Sequence, residues 1–408
     1  MESASSLCTV LQEDFEFIQW WKEKQGSIAP FARFEAVERR FGVFPAKLLA
    51  EDEMPFLIEY INSAQYLEAD HLLWGVLLQA IINGSQVTFP NLHAVVAPDV
   101  PDSEFYRLQI FAGYIPTGTL RRLSLSYGIF SSNHTIPLHW SNLTHLSFLQ
   151  ITLPLSTSYW ISFLRSFPSL KWGCFNLIQS STPYYVDEPI VKCKLTRLTS
   201  LFLKFDSKNN RLAIELAYTF SSLFVGLHLP TLHTLSLSSD IPCWRSRNAL
   251  FQISSVLQSA PNIRFLALGG RFLSLGEPYC NTDFLTESDI EPIWSRAPSL
   301  ARLQLEWSDH DVVGSADTDR AKIGLNLFLA DAKLVPENKW LNLQNPICTI
   351  REITIVDEMI DVCKIAGYAK VRLQELSAPF SNVHFQIAAK SKHLEAQEEW
   401  EEWGAVSW

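Results

Sequence analysis

A six-residue pattern, L-x-x-L-x-L, recurs along this chain of 408 residues and constrains its fold more than any other feature. Eight copies begin at Leu120, Leu143, Leu170, Leu198, Leu232, Ile263, Leu300 and Ile350, and a weaker ninth begins at Leu92. Successive first positions are 28, 23, 27, 28, 34, 31, 37 and 50 residues apart, which averages (350 − 92)/8, about 32. Recurrence at such intervals is typical of repeat proteins, in which each unit buries its apolar face against its neighbours.

Each copy predicts a short strand, because apolar residues at its fourth and sixth positions alternate with small or polar ones. Helical patterns occupy the intervals at 159–166, 212–224, 249–259 and 288–295. Proline then ends the helix and leads into the next strand in four places, Phe167-Pro-Ser, Leu229-Pro-Thr, Ala260-Pro-Asn and Ala297-Pro-Ser. The predicted fold is therefore an α/β, irregular leucine-rich-repeat solenoid. It would be a horseshoe with a parallel sheet on the concave face and helices on the convex face.

The predicted domain covers residues 1–390. It comprises N-terminal helices and degenerate repeats at 1–90, the main repeats at 91–358 and a C-terminal cap at 359–390. Residues 391–408 form an acidic tail, in which 392–403 carry five Glu and two Trp. This tail is either an amphipathic segment that docks on a basic partner or a solvated terminus.

Composition and charge exclude several classes of protein. The 33 Lys and Arg against 43 Asp and Glu give 33 − 43 = −10, and the basic residues are scattered, which argues against a nucleic-acid partner. The longest apolar run, 72–82, has 11 residues. A membrane span needs about 20, so we expect no membrane partner.

The N-terminus and the cysteines indicate the compartment. The N-terminus lacks a basic region before Glu13, and the seven cysteines form no C-x-x-C pair. We therefore expect a cytoplasmic or nuclear protein with reduced thiols.

The sequence shows no catalytic signature. It contains no G-x-S-x-G, P-loop, H-E-x-x-H or G-x-G-x-x-G motif, so we expect a protein that is not an enzyme, with no catalytic residues and no cofactor. The sharpest local candidate for a cation site is 309–311, Asp-His-Asp, with Asp317 and Asp319 nearby. It lies in a Gly-, Ser- and Asp-rich insertion, which favours a solvated loop, and we expect no metal site.

The strands provide the better candidate for a functional surface. Strand geometry places the third, fifth and seventh motif positions on one face, which in the predicted horseshoe is the open concave one. The candidate partner-binding residues on it are Arg122, His145, Trp172, Phe202, Lys204, Phe265, Arg302 and Glu306. Aromatic residues and Arg dominate the energetics of protein interfaces. The alternative for Trp172, Phe202 and Phe265 is that loops cover them and they extend the core.

If Trp172 and Phe202 are interface anchors, replacing both with alanine should weaken partner binding by about 2–4 kcal/mol. An affinity measurement on the folded double variant tests this. Unchanged affinity would remove these residues from the binding site.

Two early segments carry a resemblance to a known family. Residues 17–34, Phe-Ile-Gln-Trp-Trp-Lys-Glu-Lys-Gln-Gly-Ser-Ile-Ala-Pro-Phe-Ala-Arg-Phe, look like a helix of the form W-x-x-x-S-G-x-x-P-L-x-L that leads into a first strand. Residues 56–69, Phe-Leu-Ile-Glu-Tyr-Ile-Asn-Ser-Ala-Gln-Tyr-Leu-Glu-Ala, look like a helix ending in S-x-R-W-x-x-L that feeds a second strand. Over about 1–390 the sequence resembles the leucine-rich-repeat regions of the large F-box/leucine-rich-repeat families of basidiomycete, mushroom-forming fungi.

The resemblance implies a role in recognising a protein substrate. In that family the F-box docks onto the adaptor of a cullin-based ubiquitin ligase, and the repeats hold the substrate. No segment here matches an F-box, and the nearest candidate, 43–50, lacks the expected continuation. We therefore expect a noncatalytic protein–protein recognition module, with a cullin-type ligase as partner only if an F-box lies upstream. The alternative is a standalone leucine-rich-repeat scaffold or regulator without any ubiquitin-ligase link.

Overall fold

The computed structural model describes the strands, turns and helices that surround most copies of the motif. The described residues are 8–11, 31–34, 46–49, 54–69, 88–97, 118–129, 141–153, 157–179, 192–206, 223–239, 253, 256–270, 292–307, 342–343, 345–357, 362–377 and 382–388. The chain divides into two compact units. Described residues of the first unit lie within 1–152 and 166–170, and those of the second within 153–165 and 171–388.

The strands of the first unit are β1 Cys8–Leu11, β2 Phe31–Phe34, β3 Ala46–Leu49, β4 Tyr66–Ala69, β5 Ala94–Ala97, β6 Arg122–Ile129 and β7 His145–Leu153. Five of them form a parallel sheet with the order β7-β6-β5-β4-β2. A separate antiparallel pair joins β1 to β3. One helix, α1 Met54–Ser63, precedes β4. Within 1–90, where N-terminal helices and degenerate repeats are predicted, the described residues contain one helix and four strands.

The strands of the second unit are β8 Trp172–Gln179, β9 Cys193–Lys194, β10 Ser200–Asp206, β11 Leu227–His228, β12 Thr234–Ser239, β13 Phe265–Gly270, β14 Arg302–Trp307, β15 Glu352–Asp357 and β16 His384–Ala388. Seven of them form a parallel sheet with the order β16-β15-β14-β13-β12-β10-β8. A small parallel pair joins β11 to β9. Its helices are α2 Thr157–Arg165, α3 Ile293–Arg296 and α4 Val362–Ser377. The stacked parallel strands confirm a solenoid.

The motif sets the register of the sheet, as the sequence predicts. In the second unit each third position pairs with the third position of the next strand: Trp172 with Ser200, Ser200 with Thr234, Thr234 with Phe265, Phe265 with Arg302, and Arg302 with Glu352. Leucines at the fourth and sixth positions, such as Leu235 and Leu237, are fully buried. A slip of one residue would expose every such leucine, so burial of this row fixes the register.

Backbone hydrogen bonds hold successive strands together where they begin. The carbonyl oxygen of His233 accepts hydrogen bonds from the N–H groups of both Arg264 and Phe265, at 2.8 and 2.9 Å. The second-position carbonyl of other copies makes the same double contact: Arg121 in the first unit, and Lys171, Thr199, Arg264 and Ala301 in the second. Within each unit, these hydrogen bonds thus fix one copy to the next before its strand begins.

A tight turn precedes these contacts. The four Pro turns that the sequence predicts each close with a hydrogen bond from the first motif residue, as when Leu232 N–H donates to the Leu229 carbonyl at 3.2 Å. One further turn of this form begins at Phe89, and another Pro turn, which begins at Asn345, closes on Cys348, two residues before Ile350. Proline suits their second position because its φ is already near the required value. Polar side chains also cross between turns, since Asn262 Nδ2 donates to the Pro230 carbonyl at 2.7 Å and Thr231 Oγ1 to the Leu198 carbonyl at 2.9 Å.

A second, shorter ladder precedes the turns in the middle of the second unit. The N–H of Cys193 donates to the carbonyl of Gly226 at 2.8 Å, and that of Leu195 donates to His228 at 3.1 Å. Gly226 has φ 85°, a left-handed conformation that glycine adopts without steric cost. The chain can therefore turn into β11 there without strain.

Helix α2 packs against the leucine side of the sheet. The ring of Trp160 meets that of Phe175, a sixth-position residue, edge to face with centroids 5.5 Å apart. Phe163 stacks on Trp160 and also meets Phe175 edge to face, at 5.7 Å in both cases. Trp160 and Phe175 are fully buried. This aromatic cluster (Trp160, Phe163 and Phe175) fixes the first helix of the second unit to β8.

The other predicted helices and the cap are only partly described. Residues 223–224, 253 and 256–259 are helical within the predicted segments at 212–224 and 249–259, and α3 overlaps the one predicted at 288–295. The predicted cap at 359–390 contains α4 and also β16, an additional strand that pairs with β15. The acidic tail at 391–408 lies outside the described residues.

Candidate functional site

The candidate surface lies on the side of the second unit's sheet opposite the leucine rows. We name it the odd-position face and define it by motif positions three, five and seven of β8, β10 and β12–β16. It comprises Trp172, Cys174, Asn176, Ser200, Phe202, Lys204, Thr234, Ser236, Ser238, Phe265, Ala267, Gly269, Arg302, Gln304, Glu306, Glu352, Thr354, Val356, His384, Gln386 and Ala388. Because side chains alternate along a strand, they share one side of the sheet.

Six of the eight predicted binding residues belong to this face. They are Trp172, Phe202, Lys204, Phe265, Arg302 and Glu306, although the side chain of Glu306 is outside the described part of the structure. The other two, Arg122 and His145, are register partners on β6 and β7 of the first unit. His145 Nδ1 lies 2.9 Å from the Thr144 hydroxyl. Each unit therefore contributes its own row of candidate residues.

The three aromatic side chains of the odd-position face are buried. Trp172, Phe202 and Phe265 retain 7%, 5% and 6% of their accessible surface. The rings of Trp172 and Phe202 are 5.5 Å apart and tilted by 43°. Of the two alternatives that the sequence leaves open, burial favours rings that extend the core, and their direct contact with a partner stays a prediction.

Among the predicted site residues whose side chains the structure describes, Arg302 is the most open to solvent. Its side chain is exposed, and its guanidinium Cζ lies 5.4 Å from the centroid of the Phe265 ring on β13. A cation over an aromatic face contributes about 0.5–1 kcal/mol at an exposed site. This contact holds the guanidinium on the odd-position face, where its N–H groups remain accessible.

Glu352 lies directly across from Arg302 on β15 but turns towards β16. Its Oε1 accepts hydrogen bonds from Gln386 Nε2 at 2.8 Å and from the Thr354 hydroxyl at 3.4 Å. Gln386 Nε2 also donates to Thr354 Oγ1 at 2.9 Å. Sequence reasoning missed Gln386, because the motif position before β16 holds Asn382 in place of a leucine. The apolar alternation of Phe385 and Ile387 was the available signal.

Gln304 is the second residue of interest that sequence reasoning did not single out. It lies two residues after Arg302 on β14, with Ala267 and Thr354 as its register partners. It is 4% exposed, and among the residues that the structure describes its Nε2 has no hydrogen-bond partner. An unsatisfied buried donor costs about 1–3 kcal/mol, so it calls for an explanation.

Three cysteines have side chains that the structure describes, and none of the three is exposed. Cys174, Cys193 and Cys348 are buried and free. Burial raises the pKa of the Cys193 thiol despite the opposing charge of Arg165. Burial likewise raises the pKa of the Cys348 thiol, against a hydrogen bond from the backbone at Ile350 and the charge of Arg351. Because the thiolate is the nucleophile, a raised pKa lowers the reactivity of both at neutral pH.

The described residues contain no group of three or more His, Cys, Asp or Glu that could hold a metal ion. The Asp-His-Asp cluster at 309–311, with Asp317 and Asp319, lies outside them. Among the helices that the structure describes, none is both long and apolar enough to cross a membrane. No protein-family model and no curated protein matches this chain.

Proposed function

We propose that this chain is a noncatalytic protein-recognition module with leucine-rich-repeat architecture, and that the odd-position face binds the partner. The observation that carries the proposal is the shared register, which brings one side chain from each repeat into adjacent rows. The leucines on the opposite side are fully buried, so the accessible side chains of the odd-position face are the ones that can contact a partner. Its third-position row is chemically diverse, with Ser200, Thr234, Arg302, Glu352 and His384 at least partly accessible.

The finer architecture that we propose is a horseshoe with helices on the convex side. The aromatic cluster supports it, because Trp160 and Phe163 of α2 contact Phe175 on the leucine side of β8. A helix on that side leaves the odd-position face free of its own repeat helix. This arrangement would present the rows of the face to another protein.

In this proposal the biological role is that of a substrate-binding repeat region, as in an F-box receptor of a ubiquitin ligase. The resemblance of residues 17–34 and 56–69 supports the role. The described strand β2 and the pair α1–β4 fall where that resemblance places its first strand and its second helix and strand. A standalone scaffold or regulator would use the same face without a ligase.

A charge-reversal variant tests recognition by this face. We expect Lys204→Glu combined with Arg302→Glu to reduce retention of the bound partner by about tenfold or more, which corresponds to at least about 1.4 kcal/mol. The experiment is affinity capture from a lysate of the source organism, followed by titration of the purified partner. The matched control is Arg264→Glu, which reverses an exposed charge at a second motif position.

Both variants should melt within a few degrees of the wild type, because the substituted side chains are exposed or half-buried and the Arg302–Phe265 contact contributes only about 0.5–1 kcal/mol. Equal retention by all three proteins would contradict recognition by the odd-position face. Recovery of cullin-type ligase subunits with the wild type would favour a ligase receptor over a standalone scaffold.

A further inference from the structure

Arg302 and Glu352 face each other across β14 and β15 but do not pair. Their Cα atoms are register partners, so about 4.8 Å separates the two strands there. Arg302 instead lies over Phe265, and Glu352 is held by Thr354 and Gln386. Among the described residues, no ion pair involves Arg302. Its guanidinium therefore presents donors to solvent that no carboxylate of the described side chains binds.

The unsatisfied amide of Gln304 belongs to the same strand and the same face. The Cβ atoms of residues two apart on a strand are about 7 Å from each other, within reach of one bound side chain. Its register partner on β13 is Ala267, which offers only a methyl group. Its partner on β15 is Thr354, whose hydroxyl already donates to Glu352 and accepts from Gln386. Neither neighbour satisfies the amide nitrogen of Gln304.

The groups that the Arg302 guanidinium and the Gln304 amide nitrogen offer to a ligand are all hydrogen-bond donors. Guanidinium has five N–H donors and no acceptor, and the Gln304 nitrogen contributes two more. We propose that Arg302 and Gln304 anchor a carboxylate of the bound partner, so that the odd-position face recognises an acidic peptide segment. The proposal rests on the function proposed above and adds the chemical class of the ligand.

The geometry favours a carboxylate over a phosphate. A planar guanidinium matches a carboxylate through two parallel hydrogen bonds. Phosphate-binding peptide sites use clusters of arginines, and Arg302 is the single Arg or Lys of the described strands β13–β16 on this face. Among the described side chains, Glu352 is the nearby competing anion, and its hydrogen bonds to Gln386 and Thr354 draw it towards β16. Phe265, beneath the guanidinium, limits its motion and so lowers the entropy lost on binding.

The test is selection of random dodecapeptides displayed on phage against the immobilised full chain. Libraries in two formats distinguish the sources of the carboxylate, because one leaves the peptide C-terminus free and the other fuses it to the coat protein. If the carboxylate is a side chain, peptides that bind the wild type should be enriched in Asp or Glu in the fused format. If it is the terminal carboxylate, binders should come only from the library that leaves the C-terminus free. Synthetic peptides carrying Asn or Gln in place of the selected carboxylate should bind at least about tenfold more weakly.

Two variants connect the selection to these residues. Arg302→Gln and Gln304→Leu should each lose the preference for the carboxylate over its amide analogue. Arg264→Gln, which removes an exposed charge outside the face, should keep it. Because Gln304→Leu removes an unsatisfied buried donor and keeps the volume of the side chain, we also expect its melting temperature to stay equal or rise.

Three outcomes would overturn the proposal. Binders without any acidic preference, lost in the Lys204→Glu/Arg302→Glu variant, would leave the face as a recognition surface and remove the carboxylate anchor. A marked fall in the melting temperature of Gln304→Leu would show that the amide has a structural partner. A selection that yields no binder would overturn the anchor together with recognition of peptide segments by this face.

Discussion

Leucine at position 173 should destabilise the protein, although leucine is the residue that six of the eight motif copies carry at this position. A Cβ at Gly173 would lie 2.6 Å from Cε2 and 3.0 Å from Cζ of Phe175. That ring cannot move away freely, because it is fully buried and packs edge to face against Trp160 and Phe163. We expect Gly173→Leu to lower the free energy of unfolding by about 1–3 kcal/mol or more, as overpacked cores do. Urea denaturation followed by circular dichroism measures the change.

A second substitution separates overpacking from other causes. In Gly173→Leu/Phe175→Leu, β8 regains the Leu-x-Leu alternation of Leu235 and Leu237, and we expect the double variant to lose less stability than the sum of the two single variants. Gly118→Ala is the matched control, because a Cβ there meets nothing within 4 Å. We expect its effect to stay within about 0.5 kcal/mol. Wild-type stability of Gly173→Leu would show that the Phe175 ring can rearrange.

Removal of the Trp172 and Phe202 rings should have the largest effect on the folded state. Truncating a buried Phe or Trp to Ala costs about 3–5 kcal/mol, and these two rings lie against each other with 7% and 5% exposure. Domains of ordinary size are stable by about 5–15 kcal/mol, so Trp172→Ala/Phe202→Ala removes a large part of the total. We expect a marked fall in melting temperature, with any loss of partner binding accompanying loss of structure.

The control for this experiment is the double variant Ser200→Ala/Thr234→Ala. These residues occupy the third-position row of the odd-position face, to which Trp172 also belongs, but they are half-buried and have small side chains. We expect this pair to melt within a few degrees of the wild type. A Trp172→Ala/Phe202→Ala protein that melts normally yet no longer binds its partner would assign the rings to the interface after all.

The repeating part of the fold could be predicted because each copy of the motif carries its own register. The fourth- and sixth-position leucines and the Pro turns place β8, β10 and β12–β15 correctly. β16 was missed because Asn382 replaces the first leucine. The antiparallel pairing of Cys8–Leu11 with Ala46–Leu49 was also missed, since two short strands carry no signal for a partner about 40 residues away.

The site was less predictable than the sheet. Sequence spacing assigns Arg302, Gln304 and Glu352 to one face, but it cannot show that Arg302 turns to Phe265 while Glu352 turns to Gln386. Those choices depend on side-chain conformations across three strands. The same is true of Gly173, which in the sequence is a defect in the motif. In the structure, the absence of a side chain at Gly173 leaves the space that the Phe175 ring occupies.

The second-position carbonyls that each accept two hydrogen bonds allow the intervals between copies to change in length. Register is set by the few residues from each turn to its strand, so insertions and deletions in the interval need not disturb it. Adjacent copies are separated by 23 to 50 residues in this chain. Closing a flexible loop of twice the length costs only about 0.6 kcal/mol more. Natural variation in interval length, or an engineered epitope tag placed between copies, should therefore leave the ladder of strands intact.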